Sequence, residues 1–341
     1  MTRRLTAWQA LAGAAPLLLT VACKPDLGSP PSIVDAPEPR ILAVRGVPAE
    51  AAEGTSVTYD ILAASKDGRV AMPSVAWHQC DKRKPPAEGN AVAAGCLDLA
   101  QDPTDPGDVP EVTGSTFEAD MPDGACKRFG PQSDIDPKTM IPLRPHDPDA
   151  TGGFYQPVRA RLGADGAESI AFALERIKCR LTNAPPDLTG QFNDLYDLNQ
   201  NPTIAGFTLD PDGGPVSLFT RAPGAAAPPP PTTPTTWVSP SSPYDLEVSW
   251  SPESPEPFPV WNTATRAIDA HREAISVSWY ATDGTFEHDR TGRSETEPEL
   301  ATRNRWTAPA TTTTIEVHFW IVLRDSRGGI DFSEALVEVR P

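Results

Sequence analysis

Five cysteines offer the most distinctive chemistry in this sequence: Cys23, Cys80, Cys96, Cys126 and Cys179. Cys23 ends an N-terminal apolar segment and stands apart. The other four are an even number, which in an exported chain predicts two disulfides, and three pairings are open. We favour Cys80–Cys96, which closes a short loop, and Cys126–Cys179, which ties a long excursion to the last strand of its domain. A zinc site is the alternative, but no CxxC pair or nearby Cys/His spacing supports it.

The segment that ends at Cys23 has the order of an export signal. Arg3 and Arg4 supply positive charge, an apolar run follows to residue 22, and the small residue Ala22 precedes Cys23. The run is too short to cross a bilayer, which needs about 20 residues. The end of the segment resembles the lipobox of bacterial lipoproteins, except that Thr20 stands where that family usually has Leu. The resemblance implies that residues 1–22 are removed and that Cys23 carries lipid.

The other residue types that could perform catalysis form no recognised motif. The G-x-S-x-G elbow, the Walker loop, H-E-x-x-H and the dinucleotide fingerprint are absent from the sequence. The five histidines are scattered, and His78 and His318 fall on the solvent-facing phase of predicted strands. Glycosidases need a pair of carboxylates, but among 46 acidic residues chance pairs have no specificity. We therefore predict no catalytic residue and no metal ligand.

Calcium is the one cofactor left open. The acidic turns Asp102–Asp108 and Asp210–Asp212 are the best candidates, because Ca²⁺ prefers several oxygen ligands. Neither turn has the regular oxygen spacing of a known calcium loop.

Tryptophans are the second group with a chemical role to assign. Three occupy inward strand phases and are predicted core residues: Trp77, Trp250 and Trp279. Trp237 and Trp261 lie in Pro-rich loops, and Trp320 lies on the outward phase of its strand. If exposed, these three side chains could stack on sugar rings or anchor a partner protein. The alternative is that the Pro-rich loops fold over and cover them.

Composition limits the class of partner. The 341 residues carry a formal charge of −17, and loss of residues 1–22, which hold two Arg and no acid, would leave −19. This balance argues against nucleic acid and against electrostatic docking on anionic lipid. The 40 prolines disfavour long helices and favour turns, strand edges and extended linkers.

Short segments of alternating apolar and polar residues predict β-strands through most of the chain. Proline-rich and Asp-rich stretches separate them into units. The predicted organisation is a lipidated Cys and flexible tether at 23–39, an all-β unit at 40–182 with disulfide-pinned loops over 81–152, a connector at 183–201, and a second β unit at 202–341 with a Pro-rich loop at 222–243.

The second unit carries the clearest strand signals of the chain. Its segments Ser278–Phe286, Trp306–Pro309 and Val322–Gly329 resemble bacterial Ig-like domains of the PKD and cadherin-like kind. In that family the second segment precedes a strand and the third makes the hairpin into the final strand. The resemblance implies a β-sandwich and little about function, because the fold serves as spacer, adhesin and carbohydrate-binding module alike.

Short segments of the first unit carry another resemblance: Pro39–Arg45, Trp77–Cys80, Lys84–Pro86 and Gly95–Leu97. Together with the signal, they are similar to a lipoprotein type common in δ-proteobacteria such as myxobacteria. That type has no settled function, so the resemblance implies architecture and location and nothing catalytic.

The sequence thus predicts an all-β chain of two Ig-like β-sandwich domains with long Pro-rich loops, after an N-terminal lipoprotein signal peptide. Lys24 is not the Asp that retains many Gram-negative lipoproteins in the inner membrane, so we expect the outer membrane. The expected function is that of a membrane-anchored, non-enzymatic binding or scaffold protein of the cell envelope. Its partners would be the membrane, through lipid on Cys23, and an envelope protein or glycan. The alternatives are a glycan- or peptidoglycan-binding surface module and a hydrolase with an unrecognised site in residues 81–152.

Overall fold

The computed structural model describes residues 32–80, 96, 111–128, 136–141, 151–163, 168–181, 184–210, 214–222, 224–226 and 228–341. Within these ranges the chain forms 21 β-strands and two short helices. The all-β class predicted from the alternation of apolar and polar residues is confirmed.

The first sandwich consists of two facing sheets. In sheet I the central strand β3 pairs with all the others, and sheet II has the order β2-β9-β8-β5-β6. Sheet I contains β1 (Arg40–Val47), β3 (Ser56–Ser65), β4 (Gly68–Arg69) and β7 (Phe117–Asp120). Sheet II contains β2 (Glu50–Ala51), β5 (Val75–Gln79), β6 (Val112–Gly114), β8 (Gly153–Leu162) and β9 (Ser169–Lys178). Their inward residues form one core, in which the rings of Trp77 and Phe117 stack with centroids 5.9 Å apart.

Two disulfides fasten the first sandwich, in the pairing favoured from sequence. Cys80, directly after β5, is bonded to Cys96, and Cys126 is bonded to Cys179. The second bond joins helix α1 (Ala125–Arg128) to the end of β9. The Cα atoms are 5.6 Å apart in both pairs.

The second sandwich has two five-stranded sheets. Sheet III has the order β11-β10-β13-β19-β17, and sheet IV has the order β12-β21-β20-β16-β18. Sheet III contains β10 (Ile204–Asp210), β11 (Val216–Thr220), β13 (Pro243–Trp250), β17 (Thr285–Phe286) and β19 (Ala301–Thr307). Sheet IV contains β12 (Thr236–Val238), β16 (Ile275–Ala281), β18 (Arg290–Arg293), β20 (Ile315–Asp325) and β21 (Ile330–Val339). Trp250 and Trp279 lie in the core between the sheets, as predicted.

The two sandwiches are stacked, so that sheet I packs on sheet IV. The outward residues of β1 and β3 meet the outward residues of β16, β20 and β21 in a separate apolar cluster. The cluster comprises Val34, Leu42, Ala43, Leu62, Ala64, Tyr280, Trp320, Val322 and Phe332. We call this contact the junction. It makes four layers of sheet, of which the two inner ones are buried on both faces.

A helix and a hairpin flank the junction. Helix α2 (Pro186–Leu195) lies in the segment predicted to be a plain connector, and it packs on a hairpin of β14 (Pro257–Asn262) and β15 (Ala267–Arg272). Pro186 occupies the first turn of α2, where proline is well tolerated because that amide has no helical partner. Phe192 of α2 is buried against Trp261 of β14.

Candidate functional site

Buried ion pairs cross the junction between the two sandwiches. Arg45 of β1 reaches across it, pairing with Asp331 of β21 at 3.1 Å and with Asp60 of β3 at 2.6 Å. The Arg45 guanidinium also lies 4.4 Å from the centroid of the Phe332 ring. Asp331 is further held by Arg221 at 2.8 Å. One buried carboxylate therefore connects sheets I, III and IV.

Arg327 is the centre of a second network at the end of the junction. Its guanidinium pairs with Glu273 at 2.6 Å and Glu256 at 2.8 Å, both beside the β14–β15 hairpin. It lies 3.8 Å from Glu50 of the first sandwich, which also pairs with Arg176 at 3.3 Å. The side chains of Glu50, Glu273 and Arg327 are at most 3 % exposed. This network joins both sandwiches and the hairpin.

Two buried carboxyls have raised pKa values. Burial raises the pKa of Glu175 on β9 to about 8, and the nearby Glu50 carboxylate adds to the shift. Burial and the neighbouring Asp325 also raise the pKa of Glu273, although Arg327 opposes the change. Glu273 pairs with Arg327 and so belongs to the network that joins the sandwiches and the hairpin, whereas Glu175 lies inside the first sandwich beside Tyr59.

The N-terminal segment 32–36 is built into the junction. Val34 donates its amide to the Ala281 carbonyl at 2.8 Å, and Ala281 donates its own to Ser32 at 3.0 Å. The Ser32 hydroxyl donates to Asp289 at 2.6 Å. On the other side, the Lys66 amide donates to the Ala36 carbonyl at 2.9 Å. The segment thus bonds to both sandwiches, although the sequence predicted that it belongs to a flexible tether.

The three tryptophans proposed as ligand contacts have different environments. Trp320 is 0 % exposed because the first sandwich covers the outward face of β20, and Trp261 is 4 % exposed beneath α2. Burial removes these two from the possible ligand contacts, and they are covered by the first sandwich and by α2 rather than by Pro-rich loops. Trp237 on edge strand β12 is 53 % exposed, and the Arg340 guanidinium lies 5.8 Å from its ring centroid. Trp237 alone of the three can therefore meet a ligand.

The two histidines assigned to solvent-facing strand phases are also covered. His78 is 5 % exposed. On the neighbouring strand, Arg159 donates to the carbonyl of Cys96 at 3.2 Å, which places Cys96 over this face of sheet II. His318 is half-buried at the edge of the junction, stacked on Trp320, and burial lowers its pKa.

The metal and hydrolase alternatives rest largely on segments outside the described residues. These include Asp102–Asp108, Asp212 and most of residues 81–152. Within the described ranges no group of three or more His, Cys, Asp or Glu side chains is arranged to hold a metal ion. Asp210 lines a small groove with Arg303, which pairs with Glu247 at 2.7 Å. The carboxylate of Glu247 in this groove is therefore already paired with the Arg303 guanidinium.

The predicted lipidation site, Cys23, and the export signal before it also lie outside the described residues. In the part of the chain that is described, no helix combines the length and hydropathy needed to cross a bilayer.

The junction was missed in the sequence, although it leaves a signal there. Strands buried on both faces read as nearly continuous apolar runs rather than alternating ones. Ile41–Val44 in β1 and Phe319–Leu323 in β20 are such runs, and they face each other. Arg327 had no comparable signal, because it lies in a Gly-rich turn of the kind that usually faces solvent.

No protein-family model and no curated protein matches this sequence. Among solved structures, the chain is similar to E. coli alpha-2-macroglobulin, with 10 % identity over 89 % of this chain and a TM-score of 0.23. It is also similar to domains 4 and 5 of the S-layer protein SbsC, with 7 % identity over 89 % of this chain, 100 % of that structure and a TM-score of 0.18. A third is latent PorU from Porphyromonas gingivalis, with 9 % identity over 89 % of this chain, 24 % of PorU and a TM-score of 0.19. The chain spans 17 % of the macroglobulin's length. At these scores the similarities carry no argument about function.

Proposed function

We propose that this chain is a lipid-anchored, non-enzymatic scaffold or binding protein of the bacterial cell envelope. Its two sandwiches act as one stiff body held to the membrane through Cys23. The observation that carries the proposal is the incorporation of residues 32–36 into the junction. A force applied at an N-terminal anchor would be transmitted through residues 32–36 to both sandwiches. This suits a protein that holds a partner at a fixed distance from the membrane.

The reach of the tether is limited by its length. Nine residue steps separate Cys23 from Ser32, the first described residue, which is bonded to the second sandwich. Fully extended, they span at most about 30 Å. A lipidated Cys23 would therefore keep the body within about that distance of the bilayer. The two disulfides suit the same location, because such bonds persist in oxidising compartments outside the cytosol.

Radiolabelled palmitate tests the anchor. The full chain, expressed in a Gram-negative host, is expected to take up the label and sediment with outer membranes. Cys23→Ser should lose both the label and the sedimentation. Lys24→Asp is the matched control, because it should keep the label and move the chain to the inner-membrane fraction. Equal labelling of the Cys23→Ser variant would overturn the anchor.

Partner capture tests the binding role. The exported chain with Cys23→Ser would be incubated with solubilised envelope proteins and, separately, with purified cell-wall and capsule glycans. Stable retention of one protein without glycan co-sedimentation would support the scaffold role.

A second candidate function, recognition of a neutral glycan, is favoured by the exposure of Trp237 alone. Its indole face on an edge strand is suited to stacking on a sugar ring. Glycan co-sedimentation that Trp237→Ala abolishes would replace the scaffold role with this one. Retention of neither class of partner would contradict both proposals.

A further inference from the structure

The burial of a proline- and threonine-rich segment, residues 228–235, repeats every three residues. Pro228, Pro231 and Pro234 are half-buried, and the two residues that follow each of the first two prolines are exposed. This is the spacing of a polyproline II helix, which has three residues per turn. One edge of the segment therefore rests on the protein, and its other two edges face solvent.

The segment passes beside the junction, from one sandwich to the other. Pro230 lines a groove together with Arg69 and Val70 of the first sandwich. At the other end, the Thr235 amide donates to the Leu336 carbonyl of β21 at 2.9 Å, directly before β12 begins. The segment is thus held extended along the surface rather than folded into a turn.

Three threonines lie on the solvent side of this segment: Thr232, Thr233 and Thr235. The backbone of a polyproline II helix makes no internal hydrogen bonds, so an enzyme can bind the segment without first unfolding it. The proline rings fix the backbone in advance, which lowers the entropic cost of that binding. Threonine interleaved with proline is also the composition of O-glycosylated stalks in exported proteins.

A neighbouring exposed ring is a second, independent observation that points to a sugar. Trp237 follows Thr235 by two residues, and the intervening Thr236 is half-buried while Val238 lies in the core. Thr235 and Trp237 therefore share the outward face, with Cα atoms about 7 Å apart. The Trp237 side chain is 53 % exposed although the Arg340 guanidinium lies 5.8 Å from its ring centroid. A sugar on the Thr235 hydroxyl has this apolar ring within reach for stacking.

We propose that Thr232, Thr233 and Thr235 are sites of O-glycosylation by a neutral sugar, and that the sugar on Thr235 covers Trp237. In the transfer, the threonine hydroxyl oxygen bonds to C1 of a phosphate-activated sugar. The bond from C1 to the phosphate leaving group breaks, and the hydroxyl proton passes to a base of the transferase. This inference goes beyond the proposed function, because it requires export but neither lipid on Cys23 nor a binding partner.

Mass spectrometry of the chain purified from the organism that encodes it tests the proposal. Trypsin cleaves after Arg221 and Arg266, so one peptide, 222–266, carries all three threonines. We expect this peptide to exceed the mass of its sequence by whole sugar residues, and alkaline β-elimination should remove them. Fragmentation should place the sugars on the three threonines of the segment.

Two triple variants, produced in the same organism, test the position. Changing Thr232, Thr233 and Thr235 together to Ala should remove the added mass from peptide 222–266. The matched control changes residues 312–314, three exposed threonines, to Ala and should leave that added mass unchanged. These belong to a tight turn, in which the Thr311 hydroxyl donates to the Thr313 carbonyl at 2.6 Å, and not to an extended segment.

Several results would overturn the site. These are an unmodified peptide 222–266 from the natural source, sugars placed only on its other Ser or Thr residues, and equal loss of the added mass in the two triple variants. Hydroxyl-radical footprinting tests the stacking: Thr235→Ala should raise the oxidation rate of Trp237 about twofold, because a stacked sugar shields one of the two indole faces. An unchanged rate would refute the cover of Trp237. Trp237→Ala should keep the added mass while abolishing any co-sedimentation with free glycan, which separates this site from the neutral-glycan function.

Discussion

Replacing Trp320 by Ala should weaken the junction more than any other single apolar truncation there. The side chain is 0 % exposed and lies between β20 and the first sandwich. A tryptophan buries about 150–250 Å², and at about 25 cal/mol per Å² this corresponds to about 4–6 kcal/mol. The Ala side chain keeps part of that, so we expect a loss of about 4 kcal/mol, within the range of about 3–5 for such truncations.

Almost all of this loss in the free energy of unfolding should come from apolar contacts. No hydrogen-bond partner of the Trp320 indole nitrogen is found among the described residues, so truncation breaks no such bond there. The loss includes its stacking on His318, whose ring centroid is 5.9 Å away with the planes at 10°. Because the truncation acts where the sandwiches meet, it should also uncouple them. Unfolding in guanidinium chloride should then proceed in two steps rather than one.

Guanidinium unfolding followed by circular dichroism gives both the free energy of unfolding and the number of unfolding steps. Trp237→Ala is the matched control, because the same substitution at a side chain 53 % exposed should cost about 1 kcal/mol or less. A Trp320→Ala variant with a loss as small as this control, and with one unchanged transition, would refute the stacking of sheet I on sheet IV.

Three further changes test other parts of the fold. Glu175→Gln should flatten the pH dependence of stability. In the unmodified chain the folded pKa of Glu175, about 8, exceeds the usual 4.5, so between these pH values the folded state holds a proton that the unfolded state has released. The free energy of unfolding of that chain should therefore fall as the pH rises from about 4.5 to 8, by at most about 1.4 kcal/mol per pH unit. Removing the Cys126–Cys179 bond with two Ala substitutions should cost about 4 kcal/mol in the chain-entropy model, against about 3 for the other bridge, because it spans 53 residues rather than 16. Arg45→Met should cost about 2 kcal/mol by leaving Asp331 with Arg221 as its remaining cation, and adding Asp331→Asn should recover part of that loss.

Each has a measurement that can contradict it. Urea titrations from pH 5 to 8.5 with an unchanged slope in Glu175→Gln would show that the side chain is not buried as a neutral acid. Equal midpoints for the two disulfide variants would contradict the loop-length argument. Strictly additive losses in the double-mutant cycle would show that the Arg45–Asp331 pair contributes no coupling.

The strands could be predicted from the sequence because successive side chains of a strand point to opposite faces, which produces a local alternation of apolar and polar residues. In β13, Leu246, Val248 and Trp250 alternate with polar residues and point into the core. The helix α2 was missed, since only Pro186 marks its start and it has no long amphipathic run. Its stability comes from packing on the hairpin rather than from its own turns.

Side-chain accessibility does not follow from the strand pattern. Alternation assigns a residue to one of two faces, but it does not reveal whether a second sheet covers the outer face. Trp320 and Trp237 were given the same expectation from sequence, and the structure buries one and exposes the other. The difference depends on residues nearly 280 positions away in β1, which no local pattern relates to β20.

The sequence by itself determined the all-β class, the inward core tryptophans and a workable disulfide pairing, because each depends on residue type and short spacing. Only the tertiary structure decided that two sandwiches share a buried junction and that Arg327 is the centre of an ion network. Burial and charge proximity depend on contacts between distant parts of the chain. They arise when the sheets stack, and local propensity contains no information about that step.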